Sequence, residues 1–148
     1  MSNIVSLEIN SKKLEVEKPF YTSIKDASDL NRGCKQISSR NTVGQSVVDL
    51  TNYLPSKDEY PDVLVHFQAE AIKNQDNDWS DTRVWSNCAN VRTVARVVGT
   101  STSDARNDFW LPIDSTRKMT HEVYRSNSLS NIWILGWMPI KLEKLKPI

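Results

Sequence analysis

The sequence predicts an all-β protein: an antiparallel β-sandwich of jelly-roll-like form, preceded by an extended N-terminal arm. Three observations carry this. Stretches in which apolar and polar residues alternate with period two recur at a spacing of roughly ten to fifteen residues. Clusters of Asn, Asp, Ser, Gly and Pro separate them and supply turn chemistry. No amphipathic stretch of ordinary helix length interrupts the series. A chain of 148 residues can bury a core of its own. It divides into residues 1–44, N-terminal strands and an arm suited to attachment, and residues 45–148, the sandwich domain.

In chain order, Val5, Leu7 and Ile9 alternate with Ser6 and Glu8, and Leu14 and Val16 alternate with Glu15 and Glu17. With Asn10-Ser11-Lys12 between them, these are two short strands or one hairpin. Pro19-Phe20-Tyr21 ends that unit. Residues 22–44 are polar without sustained periodicity. They read as an extended arm or long loop, with a helical turn over residues 23–30, capped by Ser23, as the alternative. Loops of such length tend to lie against a partner or serve a function.

The chain is organised around residues 47–72. Asp49 and Asn52 can bond neighbouring backbone amides, Leu50, Tyr53 and Leu54 are spaced for one anchored turn, and Pro55 ends it. Ser56-Lys57-Asp58-Glu59 is an exposed turn, and Tyr60-Pro61 forces an extended lead into the next strand. There Val63, Val65, Phe67, Ala69 and Ala71 oppose Leu64, His66, Gln68 and Glu70, the pattern of an antiparallel sheet with one face to solvent.

Residues 74–78 form a polar loop tip, and residues 79–85 lead into or form the next strand. Residues 90–98 alternate again. Phe109 to Ile113 is a short apolar strand in which Pro112 indicates an edge or a strand end. Met119, His121 and Val123 mark a further strand, residues 132–137 the last long one, and residues 141–146 a short strand or a frayed end.

Composition excludes several classes. The net charge is +1, and Lys and Arg are interleaved with Asp and Glu, so no phosphate-binding stripe exists and nucleic acid is not an expected partner. No run approaches the roughly 18 apolar residues of a membrane helix, and the first residues lack the pattern of a signal peptide. Cys34 and Cys88 are compatible with a disulfide, but two thiols in a reducing cytoplasm is the expected state.

No cofactor, metal site or catalytic residue is expected. His66 and His121 have no second ligand at zinc spacing and read as sheet histidines. Asp76, Asp78 and Asp81 resemble a calcium loop, but counting from Asn74 puts Trp79 where an EF-hand needs Gly and Trp85 where it needs Glu, so a solvated loop tip is expected. There is no Gly-x-Ser-x-Gly elbow. Of the five tryptophans, Trp110, Trp133 and Trp85 read as core. Trp79, with Asn77 and Asp78 beside it, is the candidate contact for a partner or a glycan.

Four stretches carry a family resemblance: Asp49-Leu50-Thr51-Asn52-Tyr53-Leu54-Pro55, Tyr60 with Val63-Leu64-Val65, Leu111-Pro112-Ile113, and Leu135-Gly136-Trp137. Together they resemble small bacteriophage virion proteins of the head-fibre, capsid-decoration or minor tail type, over residues 47–140. Pro61, and Trp137 followed by Met138-Pro139, depart from that pattern. The resemblance implies a non-enzymatic structural protein, often a homotrimer, made in the bacterial cytoplasm and residing in the virion. Its N-terminal part would attach to capsid or tail proteins and its β domain would face outward. The alternative is a lectin-like module that binds a host-surface glycan through Trp79, Asn77 and Asp78.

Overall fold

A computed structural model describes residues 4–9, 12–17, 22–23, 34–73, 78–90, 93–99, 103–124 and 128–144. These form β1 (Ile4–Ile9), β2 (Lys12–Glu17), β3 (Thr22–Ser23), β4 (Lys35–Arg40), β5 (Gly44–Asp49), β6 (Val63–Lys73), β7 (Asp78–Ser86), β8 (Thr93–Gly99), β9 (Ser103–Ile113), β10 (Lys118–Tyr124), β11 (Ser128–Pro139) and β12 (Lys141–Lys144). Every strand pair is antiparallel.

One sheet runs β5-β10-β7-β8. In the other, β6 lies between β9 and β11, and the far side of β11 is paired by β4 at residues 130–134 and by β3 at Gly136 and Trp137. Taken inward from both ends, β4 pairs β11, β5 pairs β10, β6 pairs β9 and β7 pairs β8. Successive pairs fall in opposite sheets, which is the connectivity of an eight-stranded jelly roll. The predicted fold class is therefore found. A separate small sheet joins the β1–β2 hairpin to β12.

The core lies between the two sheets. β6 turns Val63, Val65, Phe67, Ala69 and Ala71 inward, all fully buried, against Leu111, Ile113, Ile132 and Ile134. Phe67 and Phe109 stack at 5.2 Å between centroids. From the facing sheet come Val48, Val84, Ala95, Val97 and Met119.

Three bulges reset the alternation, the first at Ile37 of β4, the extra residue between the pairs Ile132↔Ser38 and Trp133↔Gln36. Val94 is the extra residue between the pairs Arg83↔Thr93 and Thr82↔Ala95, so Val94 and Ala95 are both buried. Leu135 is extra between Ile134↔Phe67 and Gly136↔His66. It carries Trp137 inward after Ile132 and Ile134, although strict alternation would turn it out.

The organising stretch behaves as read. Asp49 Oδ1 accepts from the Thr51 amide (2.9 Å) and hydroxyl (2.6 Å), and the Tyr53 and Leu54 amides donate to the Leu50 carbonyl. What the sequence reading missed is the clamp on this segment. Arg117, at φ 56°, points a buried guanidinium at the carbonyls of Pro55 (3.0 Å), Tyr60, Pro61 (3.3 Å) and Asp114 (3.3 Å). Its own carbonyl accepts from the Leu50 amide (2.7 Å). Burial pushes the guanidinium pKa down, while Asp62 and Asp114 oppose that shift. One side chain thus fixes the β5–β6 connection against the β9–β10 turn.

Three expectations need correction. Residues 22–44 are not one long loop, because β4 within them is a sandwich strand with Cys34 buried beside it. Ser38 meets a histidine, and a bulge sets Ile37 against the core beside it, so no regular apolar alternation marks the strand. β9 begins at Ser103 rather than Phe109, and β11 at Ser128, again where the residues are polar. Trp110 is not core. It is 40 % exposed, because it alternates with the buried Phe109 and Leu111. Trp85 and Trp133 are half-buried, and Trp137 is the core tryptophan among the described side chains. The helical turn considered for residues 23–30 lies outside the described residues, apart from Ser23 in β3. Both cysteines are thiols.

Candidate functional site

Of the residues singled out for partner or glycan contact, Asp78 and Trp79 open β7, while Asn77 and the side chains of Asp78 and Trp79 lie outside what is described. Asp81, read as part of a solvated tip, is instead fully buried within β7. Arg96 grips it with two bonds (2.6 and 3.0 Å), and Arg83 (3.3 Å) and the Thr93 hydroxyl (3.4 Å) complete its shell.

That shell lies on the outward face of the β5-β10-β7-β8 sheet. Register puts Gln45 on β5 and Arg83 on β7 either side of Glu122 on β10. Gln45 Nε2 donates to Glu122 Oε2 (2.8 Å), and Arg83 Nη1 stands 3.6 Å from Glu122 Oε1. The Arg83 guanidinium also lies 3.7 Å from the centre of the Tyr124 ring, a cation–π contact that fixes its plane. Two residues after Arg83 on the same face is Trp85, and Asn90 comes from the β7–β8 connection. Gln45, Arg83, Trp85, Asn90 and Glu122 line an open concavity of ≈ 340 Å³. This is at the small end of the about 300–1,000 Å³ usual for ligand sites.

The outward face of the other sheet carries a different constellation. Trp110 and His66, directly paired across β9 and β6, stack at 4.5 Å with planes 9° apart. His66 Nε2 donates to Asp108 Oδ2 and Gln68 Nε2 to Asp108 Oδ1, both at 3.1 Å. Beside them Glu70, 3 % exposed, accepts from Arg106 Nε (2.8 Å) and from Asn131 Nδ2 (2.9 Å), and Asn131 Oδ1 accepts from Gln36 (3.1 Å). A buried carboxylate held by one charged and one neutral donor keeps its shape without mobile charge.

Between the sheets His121 is fully buried, with Ser38 Oγ on Nδ1 and Ser130 Oγ on Nε2, each at 2.7 Å. Thr82 donates to the Glu70 carbonyl (3.4 Å) and lies 2.6 Å from Ser130 Oγ. Ser130 must then donate to Thr82 and accept from Nε2–H, leaving Nδ1 to accept from Ser38. Burial, with Arg40 nearby, lowers the His121 pKa to about 4. Both ring nitrogens are taken by serine hydroxyls and the ring is fully buried, so the neutral histidine cross-links β4, β10 and β11. Both histidines are satisfied sheet residues, as the sequence suggested. Among the described residues no group of three His, Cys, Asp or Glu could hold a metal ion.

The aromatic–polar concavity had one sequence signal, the spacing Arg83-x-Trp85 on a strand with polar alternation. Its other members come from β5, β10 and a loop, and only pairing brings them together. No protein-family model matches the chain, and no curated protein matches it either.

Proposed function

We propose that this chain is a bacteriophage virion structural protein, of head-fibre, capsid-decoration or minor tail type, that acts without catalysis and self-associates as a homotrimer. The observation that carries this reading is the exposed, rigid Trp110 on an outward sheet face of a jelly roll. Jelly rolls serve both capsid proteins and lectins, and a fold alone does not choose between them. A large indole held flat against His66 and 40 % exposed is the kind of anchor that dominates protein interfaces. Around it His66 meets Asp108, and Arg106 meets Glu70 and Asp104, so a second copy would face polar groups already paired in place. In this reading residues 1–33, ahead of the jelly roll, attach to a capsid or tail protein, and the protein resides in the particle after synthesis in the bacterial cytoplasm.

Light scattering on the purified full chain should give the mass of a trimer, and Trp110→Asp should reduce it to monomer with the fold retained. A wild type that stays monomeric at every concentration overturns the self-association. A tagged full chain supplied in infected cells should sediment with purified particles, and its absence from them overturns the virion assignment.

A further inference from the structure

We infer that the concavity on the outward face of the β5-β10-β7-β8 sheet, lined by Gln45, Arg83, Trp85, Asn90 and Glu122, is a binding site for one ring of a neutral saccharide. The inference does not rest on the virion reading, which concerns the opposite face.

A pyranose presents an apolar C–H face and a rim of hydroxyl groups, each both donor and acceptor. Trp85 offers the matching surface, a large indole at the wall of the concavity. Gln45 and Asn90 offer amides that donate and accept, and Glu122 offers a carboxylate that only accepts. Gln45, Glu122 and Arg83 are set before any ligand arrives. Glu122 is held by Gln45 from one side and Arg83 from the other, and Arg83 is pinned between Asp81 and the Tyr124 ring. Each carboxylate oxygen has two lone pairs and one partner here, so Glu122 retains capacity to accept from sugar hydroxyls. Pre-orientation of this kind lowers the ordering penalty of binding.

Charge decides the ligand class. Arg83 and Arg96 are matched by Asp81 and Glu122. Among the described residues that line the concavity, no surplus positive charge remains for a sialic acid, a phosphate or a uronic acid, and an anion would meet Glu122 at the wall. A neutral hexose or N-acetylhexosamine fits where an acidic sugar does not. The volume suits one ring, with further residues of an oligosaccharide extending into solvent.

The test uses the full chain, ¹⁵N-labelled, titrated with the methyl glycosides of glucose, galactose and N-acetylglucosamine, and separately with N-acetylneuraminic acid. At least one neutral glycoside should move the Trp85 indole N–H and the Asn90 amide resonances in a saturable way, with a dissociation constant of the order of 1 mM. Trp85→Ala and Asn90→Ala should each weaken binding, the first at least tenfold, and the same spectra report whether each variant is folded. Trp110→Ala should bind as wild type does. Three results would overturn the inference: no saturable shift with any neutral glycoside, together with none on an array of neutral oligosaccharides; binding confined to the acidic sugar; or full binding retained by a folded Trp85→Ala or Asn90→Ala.

Discussion

Arg117 has the most consequential single environment in the chain. Its guanidinium satisfies four carbonyls in a region where no strand ladder could do so. Arg117→Met takes the guanidinium from the Pro55, Tyr60 and Pro61 carbonyls, while the Asp114 carbonyl keeps the backbone amide of residue 117, and should destabilise the fold by about 3 kcal/mol in urea unfolding. The backbone adds a finer test. At φ 56° a side chain is disfavoured, so Arg117→Gly should be less damaging than Arg117→Ala by about 1 kcal/mol, although both remove the same contacts. His121 makes a pH prediction. Its pKa is lowered to about 4 from the ordinary 6.5, so the unfolded chain binds the extra proton first as pH falls. The stability it contributes is complete above pH 6.5 and declines toward pH 4, by about 3 kcal/mol in all. Urea midpoints measured across that range should fall in the wild type, and the fall should be shallower in His121→Gln. Neither role was legible in the sequence. An Arg in a turn is indistinguishable from a surface Arg until four carbonyls converge on it, and a histidine in an alternating strand shows its face but not its partners.

Among the elements, β6 was fully legible because every inward position is apolar, and Tyr60-Pro61 marks where it starts. β4 was not, because its inward Ser38 bonds a histidine and a bulge at Ile37 breaks the period of two, and period-two patterning detects only regularly alternating apolar faces. The first half of β9 was hidden because its residues are polar and mostly exposed: Asn107, itself exposed, donates to the Val94 carbonyl (3.0 Å) instead of adding an apolar side chain to the core. Trp110 was legible and misread, since a run taken as uniformly apolar conceals an alternation already present in Phe109, Leu111 and Ile113. The concavity needed three strands and a loop, so no local pattern could announce it. Position within the sheets sets an expectation for dynamics. β6 is paired on both sides and β11 nearly so, whereas β9 and β5 are edges. In native-state hydrogen exchange the β6 and β11 amides should be the slowest, and alternate amides of β5 and β9 should exchange early. Uniform protection across all four would contradict that order.

At the scale of the whole molecule, the eight nested jelly-roll strands begin at β4, and β3 adds two residues to the edge of the same sheet. Removing residues 1–33 leaves all eight jelly-roll strands, and such a chain should remain folded by circular dichroism and thermal melting. Removing residues 1–44 takes away β4, Ser38 and buried Cys34, strips one side of β11, and should yield an unfolded or aggregating product. A 1–44 deletion that melts like the longer chain would exclude β4 from the cooperative unit. The nested pairing also governs how the chain can fold. Fifteen residues separate Asp81 from Arg96 across the innermost pair, 36 separate Glu70 from Arg106, 77 separate Gln45 from Glu122, and 95 separate Gln36 from Asn131 across the outermost. Each wider closure is entropically favoured once the one inside it has formed, so assembly should start at the β7–β8 hairpin and close outward. β4 must then wait for β11, and a nascent chain on the ribosome holds its first sandwich strand unpaired until nearly the last has emerged. Refolding should therefore be slow, in the millisecond-to-second range typical of non-local β topologies.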